Sequence, residues 1–178
     1  MSALIALLLS QVVAPDAKAS PVEPAQAWPT VTTWSDGGKD RSVHLDESLV
    51  AERDGDEHTA TALRAAGAMV SHKKGRVRLW RVERASVVLE SEPRLLPVYR
   101  DEGSTKLRVP IGGVLVVPKS GVDSQKLRDT LGRGVVVAHG VVRVPCAPAE
   151  VFSLSKALAS TAGVAWVQPD WWLGATPK

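Results

Sequence analysis

Short β-branched runs punctuated by glycine and proline alternate with helically spaced leucines along the second half of the chain. Gly113-Val-Leu-Val-Val117 follows two glycines and reads as a strand. Pro118 to Gly121 marks a turn, and Asp123 is placed to cap a helix that carries Leu127 and Leu131 on one face. Gly132 and Gly134 end it. Val135-Val-Val137 and Val141-Val-Arg-Val144 are then two strands joined by a tight turn at His139-Gly140. Pro148 suits the first turn of a second helix, along which Val151, Leu154 and Leu158 recur at helical spacing until Gly163. Val164 to Val167 forms a last strand before Pro169.

The first half repeats this order less cleanly. Leu49-Val-Ala51 is a strand, Asp56 caps a helix from Glu57 to Ala66, and Gly67 stops it. Ala68 to Val70 and Val77 to Val82 are strands around Lys73-Lys74-Gly75. Ala85, Val88 and Leu89 mark a shortened second helix, and Arg94 to Tyr99 closes the half. A duplication accounts for the parallel. Trp34-Ser-Asp-Gly-Gly38 matches Tyr99-Arg-Asp-Glu-Gly103, Leu49 to Ala51 matches Val114 to Val116, and Met69 to His72 matches Val136 to His139. Each unit reads strand, helix, strand, strand, helix, strand, the split order of a ferredoxin-like unit. The fold class expected is therefore α+β, two tandem ferredoxin-like units with antiparallel sheets, the second better defined. Turns at Asp36 to Gly38 and Asp101 to Gly103 fold a hairpin ahead of each unit, and His72 and His139 fall at equivalent hairpin positions. Helices on one face leave the other face of each sheet uncovered, ready to meet a partner.

The N-terminus is different in kind. Ala3 to Leu9 is apolar, and Ala17-Lys18-Ala19 supplies a small-residue cleavage signal, so residues 1–19 are expected to be a signal peptide, although only Ser2 stands where a positive n-region belongs. Residues 20–30 form a Pro/Ala-rich linker. Units at residues 31–98 and 99–173 follow, with a tail at residues 174–178. No cysteine near the cleavage point could carry a lipid. The mature protein is expected to be secreted or periplasmic and free of the membrane; with the segment retained it would be cytoplasmic.

Composition narrows the function. Twenty-two Lys and Arg against 19 Asp and Glu give a net charge of +3, spread without a basic tract that would grip phosphates. Six Trp, one Tyr and one Phe are too few, and wrongly placed, for a base-stacking surface, so no nucleic-acid partner is expected. One cysteine, Cys146, excludes an internal disulfide and a cysteine-based zinc cluster. It could act as a nucleophile only beside a positioned base, and Pro145 and Pro148 bracket it at a strand end. His44, His58, His72 and His139 are scattered along the chain, and Asp54-Gly-Asp-Glu57 is too short for a calcium loop. Gly112-Gly113 and Gly132-Arg-Gly134 lack the Gly-Lys-Ser/Thr of a phosphate loop, and no nucleophile elbow occurs. Neither an enzyme, a metal site nor a cofactor is expected.

Gly112-Gly-Val-Leu-Val-Val with Lys119-Ser-Gly-Val-Asp123 is similar to the "GEVLVKFKPGVS" opening of subtilisin-like protease prodomains, and Thr161 to Trp171 to their "DPGVEYVEPNY" close. Trp34 to Gly38 and Tyr99 to Gly103 look like the hairpin lead-in of prodomains built from two such units. The resemblance spans about residues 30 to 173. The catalytic signatures of these proteases (Asp-Ser/Thr-Gly, His-Gly-Thr-His, Gly-Thr-Ser-Met) are missing, and the given sequence stops at Lys178. The resemblance thus implies a standalone, non-enzymatic, prodomain-like protein that acts in trans as inhibitor or folding chaperone of a subtilisin-like serine protease. The uncovered sheet face would dock on the enzyme. The tail, Trp171, Trp172, Leu173, Gly174, Ala175, Thr176, Pro177 and Lys178, would lie in its substrate cleft by strand addition. The alternative is a non-inhibitory exported interaction domain that pairs through its sheet edges.

Overall fold

A computed structural model describes residues 28–36, 39–53 and 55–173. Among these described residues nine strands form one antiparallel sheet, β1 (Val31–Asp36), β2 (Lys39–Arg53), β3 (Met69–Lys74), β4 (Val77–Arg81), β5 (Leu96–Asp101), β6 (Leu107–Pro118), β7 (Val135–Val136), β8 (Val142–Val144) and β9 (Val164–Leu173). Four helices, α1 (Glu57–Ala65), α2 (Ala85–Ser91), α3 (Ser124–Leu131) and α4 (Val151–Ala159), complete a β-rich mixed fold. The strand order is β3-β4-β2-β5-β6-β8-β7, with β1 on β2 and β9 on β6. Within residues 39–101 the neighbours run β3-β4-β2-β5, and within 107–173 they run β7-β8-β6-β9. By position in each half the two orders are the same.

Local chemistry explains the helices. Asp56 accepts a hydrogen bond from the Thr59 amide at 3.2 Å, and Asp123 accepts one from the Lys126 amide at 2.8 Å, each capping the helix it precedes. α3 ends at Gly132 in the left-handed conformation. Helix faces then bury what the sheet offers. Ala60 and Leu63 of α1 and Ala85 and Leu89 of α2 join Val43, Val50, Trp80 and Tyr99 in one cluster, and Leu127, Leu154 and Leu158 join Val114, Val116, Val142 and Val167 in another.

Several elements differ from expectation. The strand read at Leu49 to Ala51 lies near the C-terminal end of a 15-residue β2, interrupted by an irregularity between Leu45 and Val50. There Asp46 accepts from the Ser48 amide and hydroxyl and pairs with Arg100. The strand at Val135 to Val137 shrinks to two residues, and a 3₁₀ turn at Ala138–Gly140, with His139 at φ 58°, leads into β8. His72 is not in a turn: it lies inside β3, opposite Leu79. The final strand does not stop before Pro169 but continues to Leu173. Gly37 and Gly38 of the first hairpin lie outside the described residues, flanked by the Asp36–Lys39 pair.

The largest correction concerns the open face. On the side of the sheet away from α1 and α2, Leu49, Ala51, Val77, Leu79, Leu96, Val98, Leu107 and Val109 form a buried cluster, with Ile111 and Trp172 packed against it. The sheet curls until β3 meets the C-terminal end of β9: the Trp172 indole donates to the Lys74 carbonyl at 3.2 Å, and the Lys74 ammonium donates to the Leu173 carbonyl at 3.1 Å. The first half therefore has no free face to dock with.

Gly112 sits where β6 passes beneath the Cys146–Pro148 connection. Its φ is +86°, and a Cβ there would come within 2.8 Å of the Cys146 carbonyl oxygen. Gly112→Ala is expected to cost roughly 2 kcal/mol or more, from left-handed strain plus a backbone clash. A thermal melt that matches the parent protein would contradict this.

Candidate protein-docking site

In the second half the helices pack on one face of the sheet, and the other face is free of them. Alternation dictates which side chains it carries. Val114 and Val116 turn inward to α3 and α4, so Leu115 and Val117 face the other way. Cross-strand pairing places Arg143 and Gln168 on either side of Leu115, Trp166 beside Val117, and Val135 beyond Arg143. All are half-buried except Val135, which is 62% exposed. The apolar group is crossed by a charged one. Arg143 donates to the Asp170 carboxylate at 2.6 Å and to the Gly112 carbonyl at 3.1 Å, so its guanidinium is fixed flat across the sheet. A surface of Trp, Leu and Val around an ordered ion pair has the composition of a protein interface more than of a small-molecule site.

β9 carries the three tail residues that fall in the described region. It pairs with β6 from Val164 to Leu173, with Trp171 opposite Pro110, Trp172 opposite Val109 and Leu173 opposite Arg108. These three residues were expected beyond the final strand and are instead part of it. Trp171 turns to the helix side, among Trp34, Tyr99 and Phe152, with ring centroids 5.9–6.2 Å away. Trp172 turns to the opposite side, into the curl. Neither ring is a free anchor. Leu173 is 54% exposed. Gly174 to Lys178 lie outside the described residues, as do residues 1–27. Among the described residues β9 pairs in the sheet with β6 alone, β1 lies close beside it, and at its C-terminal end Lys74 of β3 donates to the Leu173 carbonyl.

The residues weighed for other chemistry stand apart. His44 is on β2, His58 on α1, His72 on β3 and His139 in the turn before β8. Among the described residues no group of three or more His, Cys, Asp or Glu is placed to hold a metal ion. Burial pushes the Cys146 thiol up, the Glu150 carboxylate adds to it, and Arg133 and Arg143 only partly oppose them, so the sulfur is held as the unreactive thiol. None of the described helices is long and apolar enough to cross a membrane.

Sequence reasoning missed a groove of about 830 Å³ between α1 and α2, lined by Ala62, Leu63, Met69, Val82, Val87 and Val88. The signal was there: Met69 and Val87, 64% and 51% exposed, break the apolar-in pattern of their elements.

Asp46 adds a pH dependence. Burial alone would raise its carboxyl, but the Ser48 hydroxyl, Arg100 and the Ser48 amide outweigh that and hold it below the usual value. A carboxyl that titrates lower folded than unfolded stabilises the protein above the unfolded pKa of about 4, and that contribution is lost as the pH falls through the folded value. Asp46→Asn is therefore expected to flatten the acid limb of the stability curve below about pH 4, measured by urea midpoints against pH. An acid limb identical to the parent's would show that other carboxylates govern it.

No protein-family model, no curated protein and no solved structure matches the chain.

Proposed function

We propose that this protein is a prodomain-like partner of a subtilisin-like serine protease, non-enzymatic, acting in trans as its inhibitor and as an aid to its folding. In this reading each half is a ferredoxin-like unit, residues 1–19 direct export, and only the second unit docks. The observation that carries it is the helix-free face of β6, β8 and β9, together with the exposed end of β9 at Leu173. That arrangement is what a prodomain needs. A face anchors on the enzyme while an extended segment enters the cleft by adding backbone hydrogen bonds. Folding assistance needs no further site, because binding that selects the native enzyme stabilises it by mass action.

The test is inhibition of a panel of subtilisin-family proteases by the full chain, by a version lacking Gly174 to Lys178, and by Leu115→Arg. Each tail hydrogen bond contributes roughly 0.5–1.5 kcal/mol net, so losing three or four should raise the inhibition constant by one or more orders of magnitude while the melting temperature stays put. Leu115→Arg should weaken inhibition through the face alone. Absence of inhibition by the full chain across the panel would overturn the proposal. The competing reading, an interaction domain that pairs through sheet edges, rests on Met69 and Val70 of β3, 64% and 52% exposed at the end of the strand order. It predicts self-association that Met69→Lys abolishes.

A further inference from the structure

We infer that the docking face recognises an acidic partner: Arg53 of the first half and Arg143 of the second form a two-guanidinium clamp for a carboxylate on the partner protein. The assignment rests on the docking role proposed for that face and brings one edge of the first half into it. The charge of the chain is segregated. Six of the 22 Lys and Arg fall between His58 and Val82 with no Asp or Glu among them, and the rest of the chain, 16 against 19, is net acidic. On the helix side Arg64 and Arg78 meet Glu57, and Arg78 also meets Glu52. On the opposite side Leu49, Ala51 and Arg53 alternate along β2. Lys74 joins them there, because it pairs with Val77, which in turn pairs with Arg53. Along β9, Gln168, Asp170 and Trp172 alternate onto one side, so the inside of the curl runs on into the helix-free face.

The two guanidiniums meet at a bulge of β6. Between the Pro110–Trp171 and Val114–Pro169 pairs, β6 has Ile111, Gly112 and Gly113 where β9 has Asp170 alone. Arg53 donates to the Ile111 carbonyl at 2.5 Å, and Arg143 donates to the next carbonyl, that of Gly112, at 3.1 Å. The glycines leave space for both. A Cβ on Gly112 would lie 3.3 Å from the Arg53 guanidinium, and one on Gly113 would lie 3.1 Å from that of Arg143. Carbonyl partners hold a cation in place without neutralising it. Among the described residues Asp170 is the one acid paired with either arginine, and it is taken by Arg143. Two guanidiniums against one carboxylate leave a second carboxylate to be supplied, and a guanidinium binds one through paired N–H groups. Leu115, Val117 and Trp166 beside the clamp would keep water from that pair, the setting in which an arginine anchors a protein interface. Phosphates of a nucleic acid would instead have to lie against these apolar side chains.

Hexaglutamate titrated into the full chain tests the clamp directly, with the arginine Nε–H resonances as readout. Those of Arg53 and Arg143 should shift together and saturate, and in Arg53→Gln the response of Arg143 should weaken by about tenfold in peptide affinity. Against a protease of the panel that the full chain inhibits, Arg53→Gln should raise the inhibition constant by about tenfold, and Arg53→Lys should restore only part of it, having no fork. Arg76 stands in the exposed turn between β3 and β4, so Arg76→Glu should leave the melting temperature unchanged. It should slow association about three- to tenfold at low salt and less than about twofold at about 0.5 M salt, where screening removes steering. Lys126→Gln, on the exposed side of α3, should change neither readout. Shifts spread evenly over the lysines and arginines of both faces would overturn the inference, as would inhibition indifferent to Arg53→Gln. Tighter binding of a short DNA duplex or of phosphatidylserine vesicles at the same two arginines would overturn it too, making the site one for phosphate. If the parent chain inhibits no protease, the functional reading fails on its own, and the hexaglutamate titration still decides whether the clamp takes carboxylates.

Discussion

Trp80→Ala is expected to lower the unfolding free energy by about 5 kcal/mol, the larger part of the stability of an ordinary domain. Trp80 lies on β4, is 0% exposed and sits against Val50, Ala60 and Leu63, so truncation removes a large ring from a filled space. A second loss follows. The indole donates to Glu52 at 2.7 Å, and Glu52, 1% exposed, has its other carboxylate oxygen without a hydrogen-bond partner. Removing the donor leaves that carboxylate, among the described residues, to the Arg78 guanidinium 3.7 Å away. An under-satisfied buried acid costs a further 1–3 kcal/mol or so. Trp80→Phe separates the two parts, since it keeps most of the ring and loses only the donor, and should cost about 2 kcal/mol. Denaturant unfolding of the two variants measures both, and a Trp80→Ala cost under about 2 kcal/mol would mean the site collapses without penalty.

Trp171→Ala should be nearly as severe, at about 3–4 kcal/mol, although the ring is only half-buried. Its partners come from both halves. Trp34 stands on β1, Tyr99 on β5 and Phe152 on α4, and the Arg108 guanidinium lies 4.7 Å from the Trp34 ring and 6.0 Å from that of Trp171. Edge-to-face ring pairs add about 0.5–1.5 kcal/mol each beyond burial, and truncation severs two of them, with Trp34 and Tyr99, as well as the tilted contact with Phe152. A double-mutant cycle of Trp171→Ala with Trp34→Ala should therefore show a coupling above about 1 kcal/mol. Additive losses would mean that the two indoles are merely adjacent. Trp172→Ala acts on the opposite face and should add to both without coupling.

The helices were legible because their signals are local. Asp56 and Asp123 cap where they stand, and Gly67 and Gly132 follow the helices they end, whereas α4 already ends at Ala159, short of the Gly163 expected to stop it. Strand lengths were harder, for reasons that lie in particular residues. The polar run Asp46-Glu47-Ser48 hides the continuity of β2, because it serves a bulge held by Arg100, a contact 54 residues away. Pro169 read as a terminator, yet β9 bonds to β6 on one side only, and an edge strand tolerates a residue without an N–H. The helix-free face of the second half was visible in outline, from helices confined to one side. That the first half lacks such a face was not, because its filling depends on the sheet curling until Lys74 meets Trp172 and Leu173. No local pattern encodes that distance.

The place of β9 in the chain has a consequence for synthesis. On the ribosome, β6 emerges well before the strand that covers its edge, and residues 164–173 are the last of the described elements to appear. Until then the cluster under the curl is roofed on one side only, Trp34 and Tyr99 lack their capping indole, and β6 offers a long unpaired flank. Contacts this distant along the chain form slowly, and unpaired flanks invite association between nascent copies. Association between nascent copies is therefore expected to be greatest while the stretch from β6 to β9 is being translated.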